Sequence, residues 1–157
     1  MGSSSTFAHA ALTVFVALTA CRPARPASPS PVQLLFERAL TLRDTTALAQ
    51  AIAPKVVFHA RGDSTVLTRD QVLLMAQPIL SAFPDIRFRV EDEVRSADKI
   101  AARVTFTGTH RGPWRGIQPT GRSVRVSEMF FCRVVREQLA ECWQEWDEAG
   151  LFQQLSK

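Results

Sequence analysis

The sequence predicts an α+β domain, helices first and an antiparallel meander second, and three observations predict it. Between Val32 and Ala82 apolar residues recur at helical spacing over two long stretches. After Pro84 the period changes to two. The helical stretches come first and the alternating runs follow as a meander, so the helices come to cover one face of a curved sheet.

Taken in order, Val32 to Arg43 carries Val32, Leu35, Phe36, Ala39, Leu40 and Leu42 on one helical side. Asp44 caps a second short helix, Thr45 to Ala53, that stops at Pro54. Val56 to Phe58 is a short strand. Thr68 and Asp70 open a third helix, Gln71 to Ala82, which buries Val72, Leu73, Met75, Ala76, Ile79 and Leu80. Pro78 lies inside it and is expected to kink or shorten it. Ile86, Phe88, Val90 and Val94 then alternate with charged residues, as Ile100, Ala102, Val104 and Phe106 alternate with Arg103, Thr105 and Thr107. Val124 to Val134 follows, and Leu139 to Trp146 completes a fourth long strand, on which Trp143 and Trp146 point to opposite faces.

At 157 residues one domain is expected. The net charge is +4, but the arginines are scattered, mostly alternating with apolar residues. With no Lys/Arg block, this reads as a solvated basic surface, and no nucleic-acid partner is expected. Three scattered histidines lack metal-ligand spacing, and neither a metal nor a cofactor is expected.

Residues 1–21 hold no charged side chain, and Phe7 to Ala20 is an apolar run broken only by His9, Thr13 and Thr19. It is too short to span a membrane but suits the core of a signal peptide. It ends in Leu18-Thr19-Ala20-Cys21, which resembles the bacterial lipobox. That resemblance implies cleavage before Cys21 and a lipid on its thiol. Met1 to Thr6 carries no Lys or Arg, where a signal peptide normally has positive charge, so the alternative is a tail with a chance cysteine. Prolines at 23, 26, 29 and 31 make a semi-rigid spacer. The expected organisation is a leader over 1–20, a lipidated, proline-rich tether over 21–31 and a domain over 32–157. The protein is then exported and anchored by lipid to the cell envelope, at the outer membrane of a two-membrane cell because Arg22, not aspartate, follows the cysteine.

The segment Gly108-Thr109-His110-Arg111-Gly112-Pro113-Trp114-Arg115-Gly116-Ile117-Gln118-Pro119-Thr120-Gly121-Arg122 resembles the GTH-x-G…PTG stretch of SnoaL-like polyketide (ester) cyclases. Glu141-x-Trp143-x-x-x-Asp147-x-x-Gly150-Leu151-x-Gln153-Gln154-Leu155 is similar to the same family's closing element. The match runs from about Val32 to Leu155. It implies a cone-shaped, nuclear-transport-factor-2-like fold: N-terminal helices on a curved antiparallel sheet, enclosing a small-molecule pocket. It also implies an acid/base aspartate on the last strand and a helping histidine on the strand before. Here those positions hold Gln144 and Phe130, and neither takes a proton from a carbon acid.

The residues themselves also indicate a pocket. Val126, Glu128, Phe130, Cys132 and Val134 share one face of their strand, and Ile100, Ala102, Val104, Phe106 and His110 share one face of theirs. A carboxyl and an imidazole on otherwise apolar faces are polar handles for a ligand. Glu128 and His110 are therefore the candidate proton carriers. Asp147 is a third candidate, matching a second acidic position of the motif. Against these stand structural roles: Glu128 paired with an arginine such as Arg103 or Arg125, His110 capping a loop, and Asp147 capping the final helical turn. Phe106, Phe130, Gln144 and Trp146 are expected to line the ligand site, whose occupant is a small apolar or partly polar organic molecule. His59, opposite in facing to Phe58, is expected to be exposed. Cys132 and Cys142 meet if the turn at Arg136-Glu137 holds an odd number of residues; with an even loop they face opposite sides. Two other classes stay open beside an enzyme: a non-catalytic ligand-binding lipoprotein, and a homodimer module built on the outer sheet face with Met129 and Phe131.

Overall fold

The computed structural model describes residues 28–60 and 62–157. The leader over 1–20, Cys21 and most of the tether lie outside the described residues.

Ser30 starts the first helix with a capping box: its hydroxyl accepts from the N–H of Gln33, and the Gln33 side chain accepts from the N–H of Ser30. Helix α1, Pro31–Gln33, runs directly into a π-helical segment, Leu34–Leu40, that buries Leu35, Phe36, Ala39 and Leu40. Asp44 caps α2, Thr45–Ala51. Strands β1, Ile52–Ala60, and β2, Asp63–Thr68, make a hairpin that leads into α3, Arg69–Ala82. Four long strands follow: β3 Arg87–Ser96, β4 Lys99–Thr109, β5 Ser123–Val135 and β6 Gln138–Trp146. Helix α4, Glu148–Ser156, closes the chain.

The six strands form one curved, unclosed sheet in the order β2-β1-β6-β5-β4-β3. Every pair is antiparallel except β1 with β6, which is parallel. The sheet is therefore mixed at one seam rather than wholly antiparallel as expected. The helices bury their apolar sides against the face that carries the even-numbered residues of β4 and β5, making one core. On β3, whose free edge would otherwise offer unpaired N–H groups, the Thr41 hydroxyl accepts from Phe88 and the Glu37 carboxylate from Val90, both at 2.9 Å.

Several elements depart from the sequence reading for identifiable reasons. Strand β2 was not anticipated: only Leu67 among its six residues is buried, so the alternating signal is absent. Val94 does not share the inward face of Ile86, Phe88 and Val90. A bulge between Val90 and Asp92 reverses the alternation, leaving Val94 66% exposed. Helix α3 runs through Pro78 to Ala82 without stopping. Pro78 is exposed, as is Leu74 one turn earlier, whose carbonyl loses its helical partner to the proline.

The β5–β6 hairpin resolves the cysteine question in an unexpected way. Its turn is the even one, Arg136-Glu137, with both residues at positive φ (51° and 59°), the geometry of a two-residue type I′ turn. Yet Cys132 lies opposite Cys142, and the two are joined in a disulfide. Val134 pairs with Leu139 and Arg133 with Glu141, so Ala140 is an extra residue on β6. That bulge supplies the odd count the loop lacks.

The loop after β4 is bound to the C-terminus of α3. Ala82 O accepts from both Arg111 N (2.9 Å) and Gly112 N (3.0 Å). A Cβ on Gly112 would stand 2.4 Å from Ser81 O, so glycine is required there for the approach. Beyond it, Trp114 and Ile117 exchange backbone hydrogen bonds across a turn at Arg115-Gly116, both at positive φ.

Candidate functional site

Between the helices and the sheet lies a cavity of about 270 Å³. The π-helical segment supplies Leu35 and Phe36, α3 supplies Val72, Met75, Ala76 and Ile79, and the sheet supplies Phe58, Phe88, Phe106, Phe130 and Trp146. Among the described residues, the polar members of this lining are Glu128, Gln144 and Arg115, together with the indole of Trp114.

The buried face of β5 alternates without a break, and Glu128 falls on it among valines, Phe130 and Cys132, 5% exposed. Burial pushes its carboxyl up to about 7, the charged form being poorly solvated there, and a hydrogen bond from Gln144 opposes this only in part. That bond, Gln144 Nε2 to Glu128 Oε2, is 2.8 Å. Among the described residues no ion pair reaches Glu128. Arg125 is bonded to Glu91 instead, and Arg103 is exposed. The expected structural partner is thus replaced by a neutral amide, which orients the carboxyl without fixing its charge.

Phe106, Phe130, Gln144 and Trp146 all line the cavity with Glu128. Phe130 and Gln144 are direct cross-strand partners. His110 is fully buried but is not part of the lining. Its ring packs 5.3 Å from that of Phe83, and its Nδ1 accepts from the Thr120 N–H at 3.2 Å. With Nδ1 an acceptor, the neutral ring carries its proton on Nε2, a buried atom with no hydrogen-bond partner among the described residues. Burial lowers the His110 pKa, outweighing the Gly112 backbone beside it. Asp147 is exposed, accepts from Gly150 N at 2.8 Å as the cap of α4, and is likewise outside the lining. Of the three candidate proton carriers, only Glu128 is brought to the cavity.

His59 sits on the opposite face of the sheet, and it is half-buried rather than exposed. Its ring stacks on Trp143 at 4.5 Å and bonds to Ser64 and Glu141. Met129 and Phe131 are exposed on that face, as expected.

Two lining residues, Trp114 and Arg115, were missed as site residues. They come from the Gly-Pro-Trp-Arg-Gly stretch, which resembles a family signature but has no periodicity to show where its side chains point. Trp114 packs edge-on against Trp146, ring centroids 6.2 Å apart. The Arg115 guanidinium lies over the Trp114 ring at 5.3 Å and is ion-paired with Glu148 of α4.

Comparison with known proteins places this geometry among relatives. The family model for SnoaL-like polyketide cyclases matches residues 31–155. Among solved structures, the chain is 28% identical to IdmH of Streptomyces antibioticus, a candidate polyketide cyclase. The likeness covers 81% of this chain and 99% of that one, at a TM-score of 0.70. It is also 28% identical to AclR of Streptomyces galilaeus, a candidate hydroxylase, over 80% of each chain at a TM-score of 0.68. A candidate polyketide cyclase of Acidithiobacillus ferrooxidans, 24% identical over 80% of this chain and 92% of that one, shares the fold at a TM-score of 0.72. A search among curated proteins gives no match.

Proposed function

Because this chain belongs to the SnoaL-like polyketide cyclase family, we propose that it is a cofactor-free acid–base enzyme acting on a small, largely apolar organic molecule, with Glu128 as the proton carrier. The observation that carries this reading is a carboxyl poised near neutrality in an apolar cavity, oriented by Gln144 and neutralised by no cation among the described residues. The resemblance implies an aspartate where Gln144 stands. Gln144 touches Glu128, so the acid has in effect moved from β6 to the neighbouring position on β5.

The chemistry that suits one buried carboxylate is proton abstraction from a carbon next to a carbonyl. The proton passes to Glu128, and the C–H electron pair moves onto the carbonyl oxygen as an enolate. Returning the proton to another carbon completes an isomerisation; attack of the enolate carbon on a second carbonyl, with the proton given to the new alkoxide, completes a cyclisation. Each course needs only a base and a stabiliser of the oxyanion. Since the base must be ionised, turnover should rise with pH through about 7.

The test is Glu128→Gln, which keeps the shape and removes the titrating proton. Turnover should fall by about 10²-fold or more with ligand affinity little changed. Unchanged turnover would remove Glu128 from the chemistry. A wild type that binds but transforms nothing would favour the ligand-binding module, the reading that the missing acid at position 144 supports. In either case we place the domain behind a lipid anchor at Cys21, on the strength of the apolar leader and the lipobox-like residues before it.

A further inference from the structure

The geometry points to Arg115 as the residue that determines specificity in this cavity, selecting an apolar ring compound that carries a carboxylate and seating that carboxylate at the rim. This rests on the proposed ligand-binding cavity and adds the class of its occupant.

Three features lead to it. First, among the described residues Arg115 is the one cationic residue in a lining whose other polar side chains are Glu128, Gln144 and Trp114. A carboxylate near Glu128 would meet like charge and a low dielectric, so an acidic ligand is driven to the arginine with its carbon body across the phenylalanines. Second, the guanidinium is already held in place. Its central carbon lies over the Trp114 ring at 5.3 Å, and one terminal nitrogen is bonded to Glu148. A guanidinium has five N–H donors in a rigid fork, so holding one edge leaves others for a carboxylate at little further cost in side-chain entropy. The turn that carries it is fixed by the two backbone bonds between Trp114 and Ile117 (2.9 and 2.8 Å).

Third, the indole N–H of Trp114 is buried without a hydrogen-bond partner among the described residues, on a residue that is itself 7% exposed and part of the lining. Indole nitrogen only donates, and a buried donor left unmade is costly. The group it lacks is an acceptor, and a carboxylate is an acceptor only. A small adjustment of the ring on ligand entry brings this donor to the same oxygen-rich end as Arg115. The arginine and the orphan donor therefore call for the same chemical group.

The experiment uses 2-naphthoate and its methyl ester, which share shape and carbonyl but differ in charge, with binding read by calorimetry on the folded chain. Wild type should bind the acid about tenfold or more tightly than the ester. Arg115→Gln should erase that preference by weakening the acid alone, and Arg115→Lys, which keeps the charge but not the fork, should restore part of it. Arg122→Gln, at an exposed arginine outside the cavity, should leave the preference intact and so exclude the general basicity of the chain as its cause. Equal binding of acid and ester by wild type overturns the inference, as does a preference that survives in Arg115→Gln or is lost in Arg122→Gln. If Arg115→Gln does not fold, a full preference in Arg115→Lys also overturns it. Failure of the underlying reading looks different: neither compound binds wild type at all, and the inference falls with it.

Discussion

The Glu128 carboxyl is shifted in the fold from 4.5 to about 7, and that shift is a statement about stability as well as reactivity. The native state holds the proton more tightly than the unfolded chain. The contribution is therefore fully present below pH 4.5 and is lost as pH rises through 7, to the extent of about 3 kcal/mol. Glu128→Gln removes this dependence and leaves no cation stranded among the described residues. The variant should accordingly melt above wild type at pH 8, with the gap closing towards pH 5. A variant that melts below wild type at pH 8 would mean that the carboxylate has a stabilising partner. The opposite sign holds for Asp85, whose carboxylate accepts from Thr109 N at 2.7 Å and is held below its usual range. Its stabilising share is lost as pH falls, in both proteins alike.

At the scale of the element, β5 and β6 hold the site together, and the Ala140 bulge decides which residues face it. Non-reducing peptide mapping should recover Cys132 and Cys142 linked, and Cys132→Ser should lower stability by about 2–3 kcal/mol, typical of closing a short loop. Recovery of both as free thiols would contradict the pairing. Deleting Ala140 removes the extra residue but leaves Cys132 opposite Cys142 and Gln144 on the Glu128 face, so the linked peptide should survive, and its loss would mean that the bulge does not lie at Ala140. Here the limits of reading a sequence become concrete. The inward faces of β4 and β5 were legible because each strand alternates apolar and polar residues without interruption, and Glu128, Phe106 and Phe130 were found on that pattern. Gln144 and Trp146 were found from the family motif and the parity of one strand. The bulges at Glu91 and Ala140 were not legible, since an extra residue leaves composition unchanged and is visible only against the partner strand. Trp114 and Arg115 were not legible as site residues, because a loop's direction is set by the helix end it docks on.

For the whole molecule, we propose export, on the strength of the apolar run before Cys21 and the prolines after it. Labelling with a fatty acid should tag wild type but not Cys21→Ala, and an equally labelled variant would contradict anchoring through that thiol. The clamp between the loop and α3 has a consequence of another kind. One carbonyl, that of Ala82, joins the wall carrying Trp114 and Arg115 to the helix carrying Val72, Met75, Ala76 and Ile79. These two walls cannot part without breaking two hydrogen bonds at a single atom. Opening the cavity by swinging this loop away from the helix therefore carries the cost of leaving the Ala82 carbonyl unbonded.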